Sequence, residues 1–229
     1  MRAMSDESAV EQTTIVVIGG GTLSPRALDL ARPLCEGGCT VVAADSGLDH
    51  AIEAALEPSV LVGDLDSLSA AGRMWAYAHG TLIEEFPADK DLTDTELAIA
   101  RVVATSDNVH LLVLGGIDPT DARLDHVLGT LAALGDASLA GLRSIRAVIG
   151  TTEFQVVHAG HVAELSIDAG QTFSLLALHG VAEEVTLSGA RWPLTSATLH
   201  ATKARGVSNI ADGTVSLSVG IGTVTVVIP

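Results

Sequence analysis

The sequence predicts an α/β N-terminal domain with a mostly parallel, doubly wound sheet, followed by an all-β C-terminal domain of sandwich or barrel type. Three observations predict it. Short apolar runs without polar alternation recur through the first 150 residues, as in strands buried on both faces. Helix start and stop signals separate those runs. Beyond residue 150 the segments become short, β-branched and separated only by Gly or Asp-Gly turns. The 229 residues therefore divide into domains 1–150 and 151–229.

The elements follow in order. Residues 14–19 form a first strand ending in Gly19-Gly20-Gly21. Ser24 and Pro25 read as the N-cap and first position of a helix that stops at Gly37-Gly38. Strands are expected over 40–45, 59–64 and 82–86. Thr93 and Glu96 form a capping box for a helix reaching about Thr105. Trp75 and Tyr77 lie in a helix-like stretch. A strand over 109–114, a helix over about 123–134 and a strand over 144–149 close the first domain. The second carries expected strands at 154–157, 162–165, 173–176, 185–187, 198–200, 215–219 and 224–228.

Composition narrows the function. Twelve basic against 28 acidic residues give a net charge of −16, which argues against a binder of nucleic-acid backbones. A nucleotide substrate remains compatible, because Mg²⁺ brings phosphate to carboxylates. Residues 1–12 lack the apolar core of a secretory signal, and no apolar run reaches the ~20 residues of a membrane span. Cys35 and Cys39 match neither a redox pair nor a zinc site and read as reduced thiols. The expectation is a cytoplasmic protein that engages neither membrane nor nucleic acid.

The chemistry-bearing residues gather at predicted strand ends. Asp45 ends the second strand, and Asp64 and Asp66 the third. Asp89, Lys90, Asp91, Thr93 and Asp94 lead into a helix, and Arg123, Asp125 and His126 open another. Ligands of open parallel sheets bind outside the carboxyl ends of the strands. Clustered carboxylates repel unless a cation sits among them, and Mg²⁺ takes hard oxygen ligands while sharing its shell with phosphates. An extended Asp64-Leu65-Asp66 would point its carboxylates to opposite faces, so a turn after Gly63 is needed to bring both to one ion. Gly20 and Gly21 suit a tight turn with N–H groups near phosphate. Ser24 stands where a dinucleotide fingerprint needs its third glycine, and no P-loop motif is present. The remaining histidines, His50 among them, show no metal-ligand spacing and read as structural or solvated.

Together these motifs resemble the thiamine pyrophosphokinase family. The resemblance rests on Ala44-Asp45-Ser46-Gly47, Gly63-Asp64-Leu65-Asp66-Ser67, Lys90-Asp91-Leu92-Thr93-Asp94 and Arg123-Leu124-Asp125-His126. It continues through 173–176, the segment around Trp192, and Gly206-Val207-Ser208-Asn209. Ser46 replaces a glycine, Ile210 an acidic residue, and the loop 117–122 is longer than the family's. The resemblance implies transfer of the pyrophosphoryl group of ATP to the thiamine hydroxyl, giving thiamine diphosphate and AMP. It implies catalytic roles for Asp64, Asp66, Asp94 and Asp125, with Asp64, Asp66 and Asp94 as Mg²⁺ ligands. Gly20, Gly21, Asp45, Lys90, Asp91, Thr93, Arg123 and His126 would hold ATP. Trp192, Ser208 and Asn209 would hold thiamine, in a homodimer whose active site is shared between subunits. The alternatives are a pyrophosphokinase for another small alcohol, such as a hydroxymethylpterin, and a catalytically silent thiamine- or nucleotide-binding regulator.

Overall fold

A computed structural model describes residues 13–104, 108–117 and 123–229. Residues 1–12 and most of the loop 117–122 lie outside the described residues. The first half alternates β1 (Thr13–Ile18), α1 (Pro25–Glu36), β2 (Thr40–Ala44), α2 (Gly47–Glu53), β3 (Val60–Gly63), α3 (Ala70–His79), β4 (Leu82–Glu85), α4 (Asp94–Val103), β5 (Val109–Gly115), α5 (Leu124–Leu134) and β6 (Ser144–Ile149). These six strands are parallel and lie in the order β6-β5-β1-β2-β3-β4.

The sheet is doubly wound because its strands are apolar on both faces. Val16 and Ile18 of β1 pack with Ala27 and Ala31 of α1, whereas Ile15 and Val17 pack with Ala98, Ile99 and Val102 of α4. Ala43 and Leu61 meet Leu48 of α2 and Ala76 of α3. Helices α1 to α3 thus cover one face, and α4 and α5 the other. Helix signals act as expected at three ends. Ser24 Oγ accepts the Ala27 N–H at 3.2 Å, Gly37 caps α1, and Thr93 and Glu96 close a reciprocal capping box.

After β6 the chain reverses through a turn at Gly150 into β7 (Thr152–His158), which pairs antiparallel with β6. The remaining strands are β8 (Val162–Leu165), β9 (Thr172–Leu176), β10 (Ala182–Ala190), β11 (Leu194–Leu199), β12 (Gly206–Ser218) and β13 (Thr223–Ile228). Hydrogen bonding continues without a break from β6 through β7, β13 and β9 to β12. Strand β12 belongs to two layers. Its start pairs with β9, and its end with β8 and β10. Between the layers lies a core that includes Phe173, Leu187, Leu217 and Ile228. The fold is therefore a mostly parallel α/β half and an antiparallel two-layered β half, joined edge to edge by β6 and β7. Among the described residues no helix is long and apolar enough to cross a membrane.

Candidate active site

Strand order reverses beside β1: β2 lies on one side and β5, reached after three further helices, on the other. Such a switch point opens a crevice at the carboxyl ends of the strands. Here a cleft of about 410 Å³ is walled by Gly19–Thr22 after β1, Gly115–Ile117 at the end of β5, Arg123 at the N-cap of α5, and His126 and Val127 within α5. Gly21 has φ +88°, and a Cβ on it would stand 2.7 Å from Gly116 backbone atoms. The two loops cross backbone to backbone, fastened by the Gly116 N–H donating to Gly20 O at 2.9 Å. Only glycine permits that approach.

A second cleft of about 440 Å³ adjoins the first and shares Gly20, Ser46, Thr95, Arg123 and His126 with it. Asp45, Ser67, Lys90, Asp91, Thr93 and Asp94 also line it. Beside it, carboxylate oxygens of Asp45, Asp64 and Asp66 lie within 4.8 Å of one another. The chain conformation that makes this possible is local. Leu65 takes φ +63°, breaking the extended alternation that would separate Asp64 from Asp66. Asp64 Oδ1 then accepts the Asp66 N–H at 3.2 Å. Gly63, at φ +150°, leaves space for two neighbours, since a Cβ there would meet Asp94 Oδ1 at 3.1 Å and Asp45 Cβ at 3.2 Å.

Lys90 ties Asp94 to this group. Its Nζ lies 3.0 Å from Asp64 Oδ2 and 3.2 Å from Asp94 Oδ1. Hydrogen bonding from Lys90 holds the Asp64 carboxyl below its ordinary range. Partial burial pulls the ammonium down, but hydrogen bonds and charge from Asp64 and Asp94 outweigh it, and Lys90 is raised. Burial pushes Asp45 up; a hydrogen bond with Ser67 opposes this, and the charges of Asp94 and Asp66 add to it. The donor set fits a hard divalent cation. All donors are carboxylate oxygens, and Asp45 Oδ1 is buried without a hydrogen-bond partner. Asp94 Oδ1 is likewise buried without a well-formed hydrogen bond, despite the ammonium at 3.2 Å.

Arg123, Asp125 and His126 form a separate cluster at the start of α5. Arg123 donates to both Asp125 oxygens, at 3.1 and 2.8 Å, and its guanidinium also contacts His126 Nε2. That bidentate contact brings the exposed Asp125 carboxyl down to about 2. Arg123 and His126 face both clefts, while Asp125 lines neither. Thr93 is occupied as the cap of α4, where it aims Asp94 at the cluster.

The expected thiamine-holding residues lie elsewhere. Trp192, on the connection from β10 to β11, is 55 % exposed, and Arg191 lies 5.8 Å from its ring centre. Asn209 is buried in β12. Its side chain accepts the Trp192 N–H at 3.1 Å and donates to Trp192 O at 2.8 Å. Ser208 is exposed at φ +61°, and its N–H donates to Ser174 Oγ at 3.1 Å. Neither cleft at the aspartate rim has a lining residue beyond Ile149. Ser46, Ser67 and Thr95 join the site without having been given a role from the sequence, and His50, expected to be structural or solvated, lines the first cleft instead. Ser46 and Ser67 stand inside the quoted motifs, Thr95 directly follows Asp94, and His50 carries no signal beyond its place one turn into α2.

Two family models match the chain. One is described as the thiamin pyrophosphokinase catalytic domain and spans residues 32–143; the other, the vitamin B1 binding domain of the same enzyme, spans residues 161–223. The chain belongs to the thiamin pyrophosphokinase family. Solved structures agree on the fold. Thiamine pyrophosphokinase from Bacillus subtilis superposes with a TM-score of 0.75 at 20 % identity, covering 94 % of this chain and 98 % of that one. The enzyme from Geobacillus thermodenitrificans gives 0.72 at 25 %, covering 94 % and 97 %. That from Candida albicans gives 0.72 at 15 %, covering 95 % and 89 %. No curated protein sequence matches the chain. As a thiamin pyrophosphokinase the chain is an ATP-dependent transferase, moving a pyrophosphoryl group to thiamine and so making thiamine diphosphate.

Proposed function

We propose that residues 1–150 hold ATP and magnesium, that residues 151–229 hold thiamine, and that Asp64, Asp66 and Asp94, with Asp45, carry the metal. The observation that carries the reading is the approach of the Asp45, Asp64 and Asp66 carboxylates to within 4.8 Å beside the glycine-walled cleft. Mg²⁺ bound there supplies charge neutralisation to the phosphates of ATP. The chain's own groups do the rest. Gly20 and Gly21 present main-chain N–H groups to phosphate. Lys90 and Arg123 neutralise phosphate oxygens, with Asp91 and His126 bordering the same space. Asp125 holds Arg123 in place by its bidentate contact. The hydroxyl oxygen of thiamine attacks the β-phosphorus, the α–β bridge breaks, and AMP leaves. Such a transfer depends on in-line positioning and charge neutralisation more than on covalent help from the protein.

Trp192 offers an aromatic face to the cationic thiamine, Ser208 a hydroxyl, and Asn209 the support that fixes Trp192. A homodimer with a shared site brings Trp192 of one subunit to the aspartate rim of the other. Three observations support it: Trp192 is solvent-exposed, both rim clefts are lined by the first half alone, and Leu124 and Leu128 leave an apolar stripe on α5. A cytoplasmic location accords with Cys35 and Cys39 carried as free thiols. The deciding assay follows AMP release from ATP and Mg²⁺. AMP that appears only on adding thiamine supports the reading. Release that is indifferent to thiamine, or that responds to a hydroxymethylpterin instead, overturns it.

A further inference from the structure

Glu153 of β7 is a buried carboxylate outside the clefts, and two guanidinium groups meet at it. Arg146 of β6 donates to its Oε1 from Nε at 3.0 Å and from a terminal nitrogen at 2.6 Å. Arg26 of α1 donates to its Oε2 at 3.1 Å. The other terminal nitrogen of Arg26 faces the main-chain oxygens of Thr151, Ile228 and Pro229 at 3.3 to 3.5 Å. A carboxylate left 5 % exposed is costly unless paired, so these contacts are enforced. One guanidinium therefore joins the start of α1 to β7, to the β6–β7 turn and to the end of β13.

That helix start is where the nucleotide cleft begins. Arg26 is the second residue of α1, one turn beyond the cleft-lining Gly19–Thr22 segment, with the Ser24 cap between them. The segment is fastened on one side by the Gly20–Gly116 contact. On the α1 side, Leu23 packs in the core cluster that holds Val148 of β6, and Arg26 adds a polar tether to β7 and the end of β13. We propose that Arg26, seated on Glu153 and backed by Arg146, is a positioning residue for ATP. It fixes the first turn of α1 against β6, β7 and β13, and so sets the width of the cleft at Gly20 and Gly21. The proposal rests on the assignment of that cleft to ATP. Its specificity lies in shape: a planar guanidinium serves the carboxylate and the carbonyl fan together, whereas an ammonium meets the carboxylate alone.

The test is steady-state kinetics at 25 °C on Arg26→Gln and Arg26→Lys, with folding checked by circular dichroism. The expected result is an ATP KM raised about three- to tenfold in Arg26→Gln, a thiamine KM within about twofold of the parent, and partial recovery in Arg26→Lys. Arg26→Lys keeps a charge opposite Glu153 and carries the test if the glutamine variant does not fold. An unchanged ATP KM with only a lowered Tm overturns the proposal, as does an equal rise in both KM values. Arg123→Ala, on the opposite wall, separates the two layers of argument. If it raises the ATP KM while the Arg26 variants do not, only the positioning role fails. If it leaves the ATP KM unchanged, the cleft assignment fails as well.

Discussion

Asn209 holds Trp192 by both of its main-chain polar groups, accepting from its N–H at 3.1 Å and donating to its carbonyl at 2.8 Å. The buried amide is thus a bracket for an exposed indole, 17 residues away in sequence and adjacent in space.

Replacing the bracket should therefore act through the indole. Trp192→Ala is expected to raise the thiamine KM by about 2- to 30-fold, the worth of an aromatic face against a cation. Asn209→Ala should shift it in the same direction and also lower Tm, because the part-buried Trp192 main-chain groups lose partners. Kinetics of the double variant are the check: the pair should be non-additive, since both act on one contact. Full additivity would mean that Asn209 touches thiamine independently.

For the aspartate rim the expectation is loss of turnover without loss of fold. Asp64→Ala and Asp66→Ala should lower kcat by orders of magnitude while Tm in the absence of metal changes little, because Asp66 is exposed and, at the part-buried Asp64, loss of the Lys90 pair is offset by relieved repulsion with Asp45 and Asp66. Added Mg²⁺ should raise the Tm of the parent and not of these variants. Near-normal turnover in either would remove it from the metal site.

Gly63→Ala probes the same site through the backbone. Its φ of +150° is a conformation that side chains avoid, and the new methyl meets Asp94 and Asp45 at 3.1 and 3.2 Å. Displaced carboxylates should reduce activity at least tenfold, a misplacement effect on catalysis. Differential scanning calorimetry beside kcat tests whether activity falls further than stability.

Acid should weaken the protein through two histidines remote from the rim. His158 accepts or donates at Thr223 Oγ1 (3.2 Å) and His179 at Thr225 Oγ1 (3.0 Å). Burial lowers both below the ordinary histidine value; the Leu134 carbonyl opposes this at His158, and His158 adds to it at His179. The unfolded chain then binds protons that the folded chain refuses. Stability is full above about pH 6.5 and falls as pH drops toward the folded-state values. Each kcal/mol lost lowers Tm by about 2–4 °C in a chain of this size. Melting curves between pH 7.5 and 5 should flatten in a His158→Asn, His179→Asn double variant; an unaltered slope would assign the acid sensitivity elsewhere.

Much of this was legible in the sequence because parallel strands write their own ends. Apolar runs stopping at Asp45, Asp64 and Gly19 located the rim, and the Thr93–Glu96 pair located the start of α4. Short helices were harder: α2, with seven residues and no side-chain cap, carries too little periodicity to stand out. The link of Asp94 to Asp64 through Lys90 depends on three-dimensional approach, not spacing. Strand β12 was read only over its later part. Its first residues look like a binding motif, and register shifts against β9 and β10 disguise their continuity. Glu153 stands just outside the strand expected over 154–157, and nothing local marks a carboxylate whose partners lie 7 and 127 residues away.

The β6–β7 seam has a consequence for how such a chain can be altered. Each strand supplies the other's ladder partner, so severing the polypeptide near Gly150 and separating the pieces would leave two raw, apolar edges, the kind that seek new strands and aggregate. The β half is consequently not a detachable cartridge. A graft that exchanges it must bring a strand with matching register for β6, and must also restore an acid at position 153 for Arg26 to grip.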